Sequence, residues 1–94
     1  MPVSSLKVPT DLRDVIRRLH PELKRKVRAA LTDILDDPSC GKALRDELEG
    51  YSSLRVGRSR IIYRIAAGVI EIVAVGPRGS IYEETARIIH RDKI

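Results

Sequence analysis

Apolar residues recur at two different periods along this chain. Between positions 10 and 35 they fall three or four residues apart, whereas between positions 51 and 75 they alternate or run continuously. The first spacing is typical of amphipathic helices and the second of β-strands. The pattern therefore divides the chain into a helical first half and a second half rich in strands.

Two amphipathic helices are predicted in the first half. Thr10 is a suitable N-cap for a helix whose apolar stripe covers positions 12–19. Pro21 ends that helix and suits the first turn of the next one, whose stripe covers positions 23–35. So short a break between two helices predicts a helical hairpin.

Three strands are predicted in the second half, over positions 51–56, 60–66 and 69–75. Gly57 and Gly68 lie where the chain must reverse its direction. The third strand is apolar on both faces apart from Glu71, which predicts a position inside the sheet with both faces covered.

Shorter elements complete the order. An edge strand is expected over positions 4–8, one helical turn near positions 43–48, and a last helix from the capping-box pattern at 80–83 to about His90. The resulting order, β-α-α-β-β-β-α, predicts a single α+β domain over residues 1–94 in which the helical hairpin packs on one face of the sheet.

Composition and charge narrow the classes of function. A net charge of +5 and a pI of about 9.8 favour nucleic acid, an anionic membrane or an acidic protein as partner. Only three aromatic residues are present, which disfavours a platform that stacks several RNA bases. Cys40 is the only cysteine, so we expect no disulfide, metal or cofactor. The chain has no apolar leader and no run long enough to cross a bilayer, so we expect a cytoplasmic protein.

Arginines are concentrated in the first two predicted strands. Arg55, Arg58, Arg60 and Arg64 fall within ten positions. Alternation places Ile61, Tyr63 and Ile65 on one face of the second strand. It places Arg58, Arg60, Ile62 and Arg64 on the other. An arginine-lined face suits phosphate, because the guanidinium group donates two parallel hydrogen bonds and stays charged. The alternative, with even odds, is a solvated face whose arginines pair with carboxylates.

Part of a phosphodiester-cleaving site is predicted at one end of the sheet. If the hairpin covers the Ile61 face, the arginine face is left open, and Arg60, Arg78 and Tyr82 converge there, with both arginines exposed. Cutting RNA through its own 2′-OH needs a base, donors for the developing charge and an acid. The arginines supply the donors, but no histidine or carboxylate is obviously placed as the base.

These stretches resemble the RelE/ParE family of bacterial toxins in three motifs and in element order. The motifs are 44–57, 60–65 and 75–82, the last of which contains Gly76-Pro77-Arg78 and Ile81-Tyr82. The resemblance implies a helical hairpin on a curved antiparallel sheet, and a toxin held inactive by a small, acidic, partly disordered antitoxin. In the RelE branch the toxin cleaves mRNA in the ribosomal A site, whereas in the ParE branch it poisons DNA gyrase.

The resemblance also assigns roles to individual residues. It implies that Arg60 stabilises the scissile phosphate, that Arg78 assists protonation of the leaving group, and that Tyr82 orients or stacks on the nucleotide. Further expected RNA or ribosome contacts are Arg55, Arg58, Arg64, Lys24 and Arg25, although the start of the second helix also fits a plain solvated face. His90 matches a late histidine of some branches and is a candidate acid or base, but an exposed helix-end histidine is the favoured interpretation.

Three functions follow as hypotheses. The favoured one is a ribosome-dependent mRNA endonuclease that inhibits translation. The second is a gyrase inhibitor without nuclease activity. It is favoured by the absence, between positions 51 and 55, of the lysines found in the best-studied RelE toxins. The third is a diverged, weakly active toxin that mainly binds its antitoxin. In each, DNA is contacted only indirectly through the antitoxin.

Overall fold

The computed structural model describes residues 5–92 and contains three α-helices and five β-strands. Two short 3₁₀ turns, Pro38–Cys40 and Asp46–Leu48, join them in the middle of the chain. In chain order the elements are β1 Ser5–Lys7, α1 Thr10–Arg17, α2 Pro21–Asp36, β2 Lys42–Ala43, β3 Ser52–Val56, β4 Ser59–Ala66, β5 Val69–Pro77 and α3 Ile81–Asp92.

The strands form one mixed sheet in the order β1-β5-β4-β3-β2. Strands β2 to β5 pair antiparallel with one another, as predicted, but β1 runs parallel to β5. The predicted edge strand is thus confirmed over Ser5–Lys7, and position 4 lies outside the described residues. Strand β5 lies inside the sheet, also as predicted.

The segment before β3 differs from its prediction. In place of one helical turn over 43–48 the chain forms β2 and then the 3₁₀ turn. The backbone at Asp46 has a φ of 57°, a left-handed conformation that an α-helix does not tolerate. The N–H of Leu44 instead donates to the carbonyl of Tyr51, which holds this segment against the start of β3.

The helical hairpin packs on one face of the sheet, as the sequence predicts. Its buried residues meet the inward side chains of the strands in one core; among them are Ile16, Val27, Ala30, Ile34, Ile61 and Tyr63. The helix starts differ slightly from expectation, because Pro9 rather than Thr10 occupies the capping position of α1. The imidazole Nδ1 of His20 caps α2 by accepting a hydrogen bond from the N–H of Glu22.

The opposite face of the sheet is partly covered by α3, so the expectation of an open arginine face is wrong. Ile81 packs there on Ile62 and Ala74, and all three are buried. Gly76 permits this close approach, since a Cβ at that position would lie 3.1 Å from Cδ1 of Ile81. A register shift in the β4–β5 pairing falls between Ile62 and Tyr63.

Two further observations complete the fold. Ile65, predicted on the buried face of β4, is 51% exposed, although its direct partner on β5, Ile70, is fully buried. Among the residues from 5 to 92, no helix combines the length and the apolar character needed to cross a bilayer.

Candidate functional site

A polar cluster lies on the face of the sheet that α3 covers. It consists of Arg60, Ser53 and Tyr82, and we call it the Arg60 cluster. Nη1 of Arg60 donates to Oγ of Ser53 over 3.3 Å, and that oxygen lies 3.3 Å from the hydroxyl of Tyr82. The guanidinium carbon of Arg60 stands 5.9 Å from the centre of the Tyr82 ring, within cation–π range. Two strands and a helix therefore hold one guanidinium group in place.

The register of the strands explains this meeting. Arg55 pairs with Arg60 and Ser53 pairs with Ile62, so all four side chains project toward the α3 side of the sheet. Tyr82 reaches the same place from the first turn of α3. The predicted meeting of Arg60 and Tyr82 is thus present in the structure.

Arg60 keeps a hydrogen-bond donor free. Its Nε is buried and finds no partner among the residues that the structure describes. The side chain is half-buried rather than exposed as expected. A buried N–H without an acceptor is costly, and the cost is relieved when an anion supplies an oxygen. In arginines generally, the edge formed by Nε and an Nη atom is one that can donate two parallel hydrogen bonds to a phosphate group.

Ser53 was missed by sequence reasoning. It is 2% exposed and lies between the charged and the aromatic member of the cluster. Counting alternation back through the turn from Arg60 places Arg55 and Ser53 on the same face, and that signal was present in the sequence. A serine in a strand is otherwise unremarkable.

Arg78 lies at the same end of the sheet but outside the described contacts of the cluster. Its backbone N–H donates to the carbonyl of Arg58 over 3.0 Å, which ties the turn after β5 to the turn between β3 and β4. Gly76, two residues earlier, is the direct partner of Arg60 in the sheet. The side chains of Arg58 and Arg78 are both exposed at this end.

Arg64 and Arg55 are engaged elsewhere. Arg64 lies 3.6 Å from the carboxylate of Glu71 and also donates to the hydroxyl of Tyr51 over 3.4 Å. The alternative interpretation, an arginine paired with a carboxylate, therefore describes Arg64. Nε of Arg55 donates to the carbonyl of Gly57, and the side chain is exposed.

The remaining candidates are not brought to the Arg60 cluster. Lys24 and Arg25 lie on α2, which covers the opposite face of the sheet. His90 is exposed and follows Tyr82 by about 12 Å along the axis of α3. No group of three or more potential metal ligands is found within residues 5–92.

Tyr63, on the hairpin face, has a structural hydroxyl. It donates to the carbonyl of Pro38 over 2.6 Å and accepts from the N–H of Gly41 over 3.0 Å. Burial raises the pKa of this phenol above its usual value. The contacts fasten the loop after α2 to the middle of the sheet.

Comparison with known protein families identifies the class of protein to which this chain belongs. Residues 5–82 match the model described as "ParE toxin of type II toxin-antitoxin system, parDE". The fold and this match define a toxin of a type II toxin-antitoxin system, and the chain belongs to the RelE/ParE family. No curated protein matched the chain.

Solved structures agree with the family. The toxin-antitoxin complex RelBE2 from Mycobacterium tuberculosis contains a chain 30% identical, with a TM-score of 0.69, matched over 80% of this chain and 98% of that one. The free-state structure of a double arginine-to-alanine mutant of the E. coli toxin RelE is 20% identical with a TM-score of 0.73, over 93% of this chain and 98% of that one. The archaeal RelE-RelB complex from Pyrococcus horikoshii OT3 is 20% identical with a TM-score of 0.67, over 84% and 98%. The last two likenesses concern the fold alone.

Proposed function

We propose that this toxin is a ribosome-dependent endonuclease that cleaves mRNA in the A site and so inhibits translation. The proposal rests on the guanidinium group of Arg60, which is held beside the aromatic ring of Tyr82. Its Nε is buried and has no hydrogen-bond acceptor among the described residues. That combination suits a nucleotide, because the guanidinium binds the phosphate while the ring of Tyr82 contacts the base.

The cluster suggests how the chain would act on a phosphodiester. Arg60 donates to the non-bridging oxygens, on which negative charge grows in the transition state. It is already oriented by Ser53 and Tyr82, so little reorganisation is needed when the substrate binds. Arg78, exposed at the same end of the sheet, is the second donor and assists protonation of the leaving 5′-oxygen.

A cognate antitoxin is the proposed protein partner. Two structural relatives are complexes of this kind, RelBE2 and the archaeal RelE-RelB. The net charge of +5 favours a small, acidic, partly disordered chain, whose association would be fast and would weaken with salt. Contact with DNA would then be indirect, through the antitoxin.

Gyrase inhibition without nuclease activity is the second candidate. Two specific observations favour it: the matching family model is that of ParE, and β3 and the residue before it carry no lysine. In this alternative the Arg60 cluster is a protein-binding or purely structural feature.

Toeprinting on programmed ribosomes tests the proposal. The purified toxin should leave mRNA cut at A-site codons, and its expression without an antitoxin should arrest growth. Intact mRNA together with loss of gyrase supercoiling activity would instead establish the second candidate. A protein that does neither but still binds its antitoxin would be a diverged, weakly active toxin.

A further inference from the structure

Glu84 brings a carboxylate close to the strand partner of Arg60. Oε2 of Glu84 lies 3.9 Å from the position that a Cβ on Gly76 would occupy. Gly76 is the direct partner of Arg60 across the β4–β5 pair. Since the Cβ positions of directly paired residues are about 5 Å apart, the carboxylate lies within about 9 Å of the Cβ of Arg60. The carboxylate is therefore near enough to Arg60 for both groups to reach one nucleotide.

Tyr82 and Glu84 flank Arg60 from opposite sides. On α3, Ile81, Thr85 and Ile89 form the buried stripe. At about 100° per residue, Tyr82 projects from one side of this stripe and Glu84 from the other. Tyr82 contacts Ser53 on β3, whereas Glu84 lies over Gly76 on β5, and Arg60 is on β4 between them.

Other carboxylates whose side chains the structure describes near α3 or on this face of the sheet are engaged or border a different groove. Glu83 forms an ion pair with Arg87 over 3.1 Å, and both side chains are more than 70% exposed. Glu71 is paired with Arg64. Asp46 and Glu47 border a groove on the Tyr82 side of α3, away from Gly76. No ion pair of Glu84 is present among the described residues.

We infer that Glu84 is the general base of the cleavage reaction, an inference that rests on the proposed nuclease function. Its carboxylate takes the proton of the 2′-OH while the 2′-oxygen forms a bond to phosphorus. The bond from phosphorus to the 5′-oxygen breaks, and that oxygen takes a proton from water. The products are a 2′,3′-cyclic phosphate and a 5′-OH, and Glu84 returns its proton to solvent, so no net proton is consumed.

Single-turnover cleavage of A-site mRNA on programmed ribosomes tests this role. Glu84→Gln keeps the shape of the side chain but not its basicity, and should slow cleavage by roughly 10²–10⁴-fold. Ribosome affinity, measured separately by co-sedimentation, should change by less than about threefold, because the loss concerns the chemical step. Glu84→Asp should recover part of the rate, since it restores a carboxylate.

Glu83→Gln is the matched control, one position away on the same turn, and should cleave at the wild-type rate. Because Glu84 is exposed, its variants should unfold at the wild-type temperature in circular dichroism. Wild-type-like cleavage by Glu84→Gln would overturn the inference and leave the proposed function standing. Wild-type toxin that leaves the mRNA intact would overturn both.

Discussion

The two faces of the sheet are built from the same strands but differ in polarity and in how completely their polar groups are hydrogen-bonded. On the hairpin face, β4 contributes Ile61 and Tyr63 to a core, and the hydroxyl of Tyr63 both donates and accepts a hydrogen bond. On the α3 face the next residues along the same strand are Arg60 and Ile62. There the apolar contact between Ile62 and Ile81 lies beside the Arg60 cluster, in which Nε of Arg60 has no hydrogen-bond acceptor among the described residues.

Because of this difference, adjacent residues of β4 can affect different properties, one the stability of the fold and the next the chemistry of the site. Neighbouring residues of β4 alternate between a dry core and a polar cluster, so substitutions one residue apart should act on different properties. The hairpin face should determine the free energy of unfolding. The α3 face should determine what the protein does to a bound phosphate.

The largest effect is expected on the hairpin face. Ile61→Ala removes a fully buried side chain and should lower the free energy of unfolding by about 2–5 kcal/mol. Ile65→Ala, on the same strand but half exposed, is the control and should change it by less than about 0.5 kcal/mol. Urea denaturation of both variants measures the two values, and equal losses would contradict the assignment of this stability to the buried part of the hairpin face.

On the α3 face the effect should appear in rate. Arg60→Ala and Arg78→Ala should each slow single-turnover cleavage by about 10²–10³-fold, or about 2.7–4 kcal/mol, because each removes a donor to the transition state. Arg13→Ala, on the exposed side of α1, should leave the rate intact. Cleavage that survives both substitutions would contradict the proposed mechanism even though the fold is correct.

Substitutions of Tyr82 provide a second test of the α3 face. Its ring faces Arg60, whereas its hydroxyl contacts only Ser53 among the described residues. Tyr82→Ala should therefore lose about 1–3 kcal/mol of substrate affinity through lost stacking, and Tyr82→Phe much less. Equal losses in the two variants would assign the chemistry to the hydroxyl instead.

The smallest effect is expected at Tyr63. Tyr63→Phe removes two hydrogen bonds and should cost about 1 kcal/mol of unfolding free energy at neutral pH. The raised pKa means that the unfolded chain loses the phenolic proton first. This part of the stability is thus full below the unfolded pKa of about 10 and is lost as pH rises through the folded value. Urea titrations at pH 8 and pH 11 should show the wild-type advantage shrinking, and a constant advantage would contradict the cause assigned to the shift.

Periodicity predicted most of the fold because local pattern decides those elements. Helices α1 and α2 and strands β3 to β5 lie within a few residues of their predicted bounds, since each carries its own apolar stripe. Strand β2 has two residues and pairs with Ser52 and Ser53, a pairing that no local sequence pattern predicts. The parallel direction of β1 depends on a partner far along the chain.

The site was predicted less completely than the fold, because it depends on where α3 packs on the sheet. Arg60, Arg78 and Tyr82 were expected to converge, and only Arg60 and Tyr82 make contact among the described residues. The position of α3 over the arginine face depends on the contact between Gly76 and Ile81, which belong to different elements. Unless the position of α3 on the sheet is known, the burial of Ser53 and the approach of Glu84 to Gly76 cannot be inferred from the sequence. The roles of Arg60, Arg78, Tyr82 and His90 stay predictions until cleavage is measured.

The parallel pairing of β1 with β5 has a consequence for the timing of folding. Ser5 pairs with Val69, so the edge of the sheet closes only after nearly the whole intervening chain is available. Closing so long a loop costs entropy that local hairpins such as β4–β5 avoid, and pairings of this range slow folding. During synthesis β1 therefore waits unpaired until β5 has left the exit tunnel, and Tyr82 follows later still. A nascent chain on the ribosome thus lacks the Arg60 cluster until Tyr82 has left the exit tunnel.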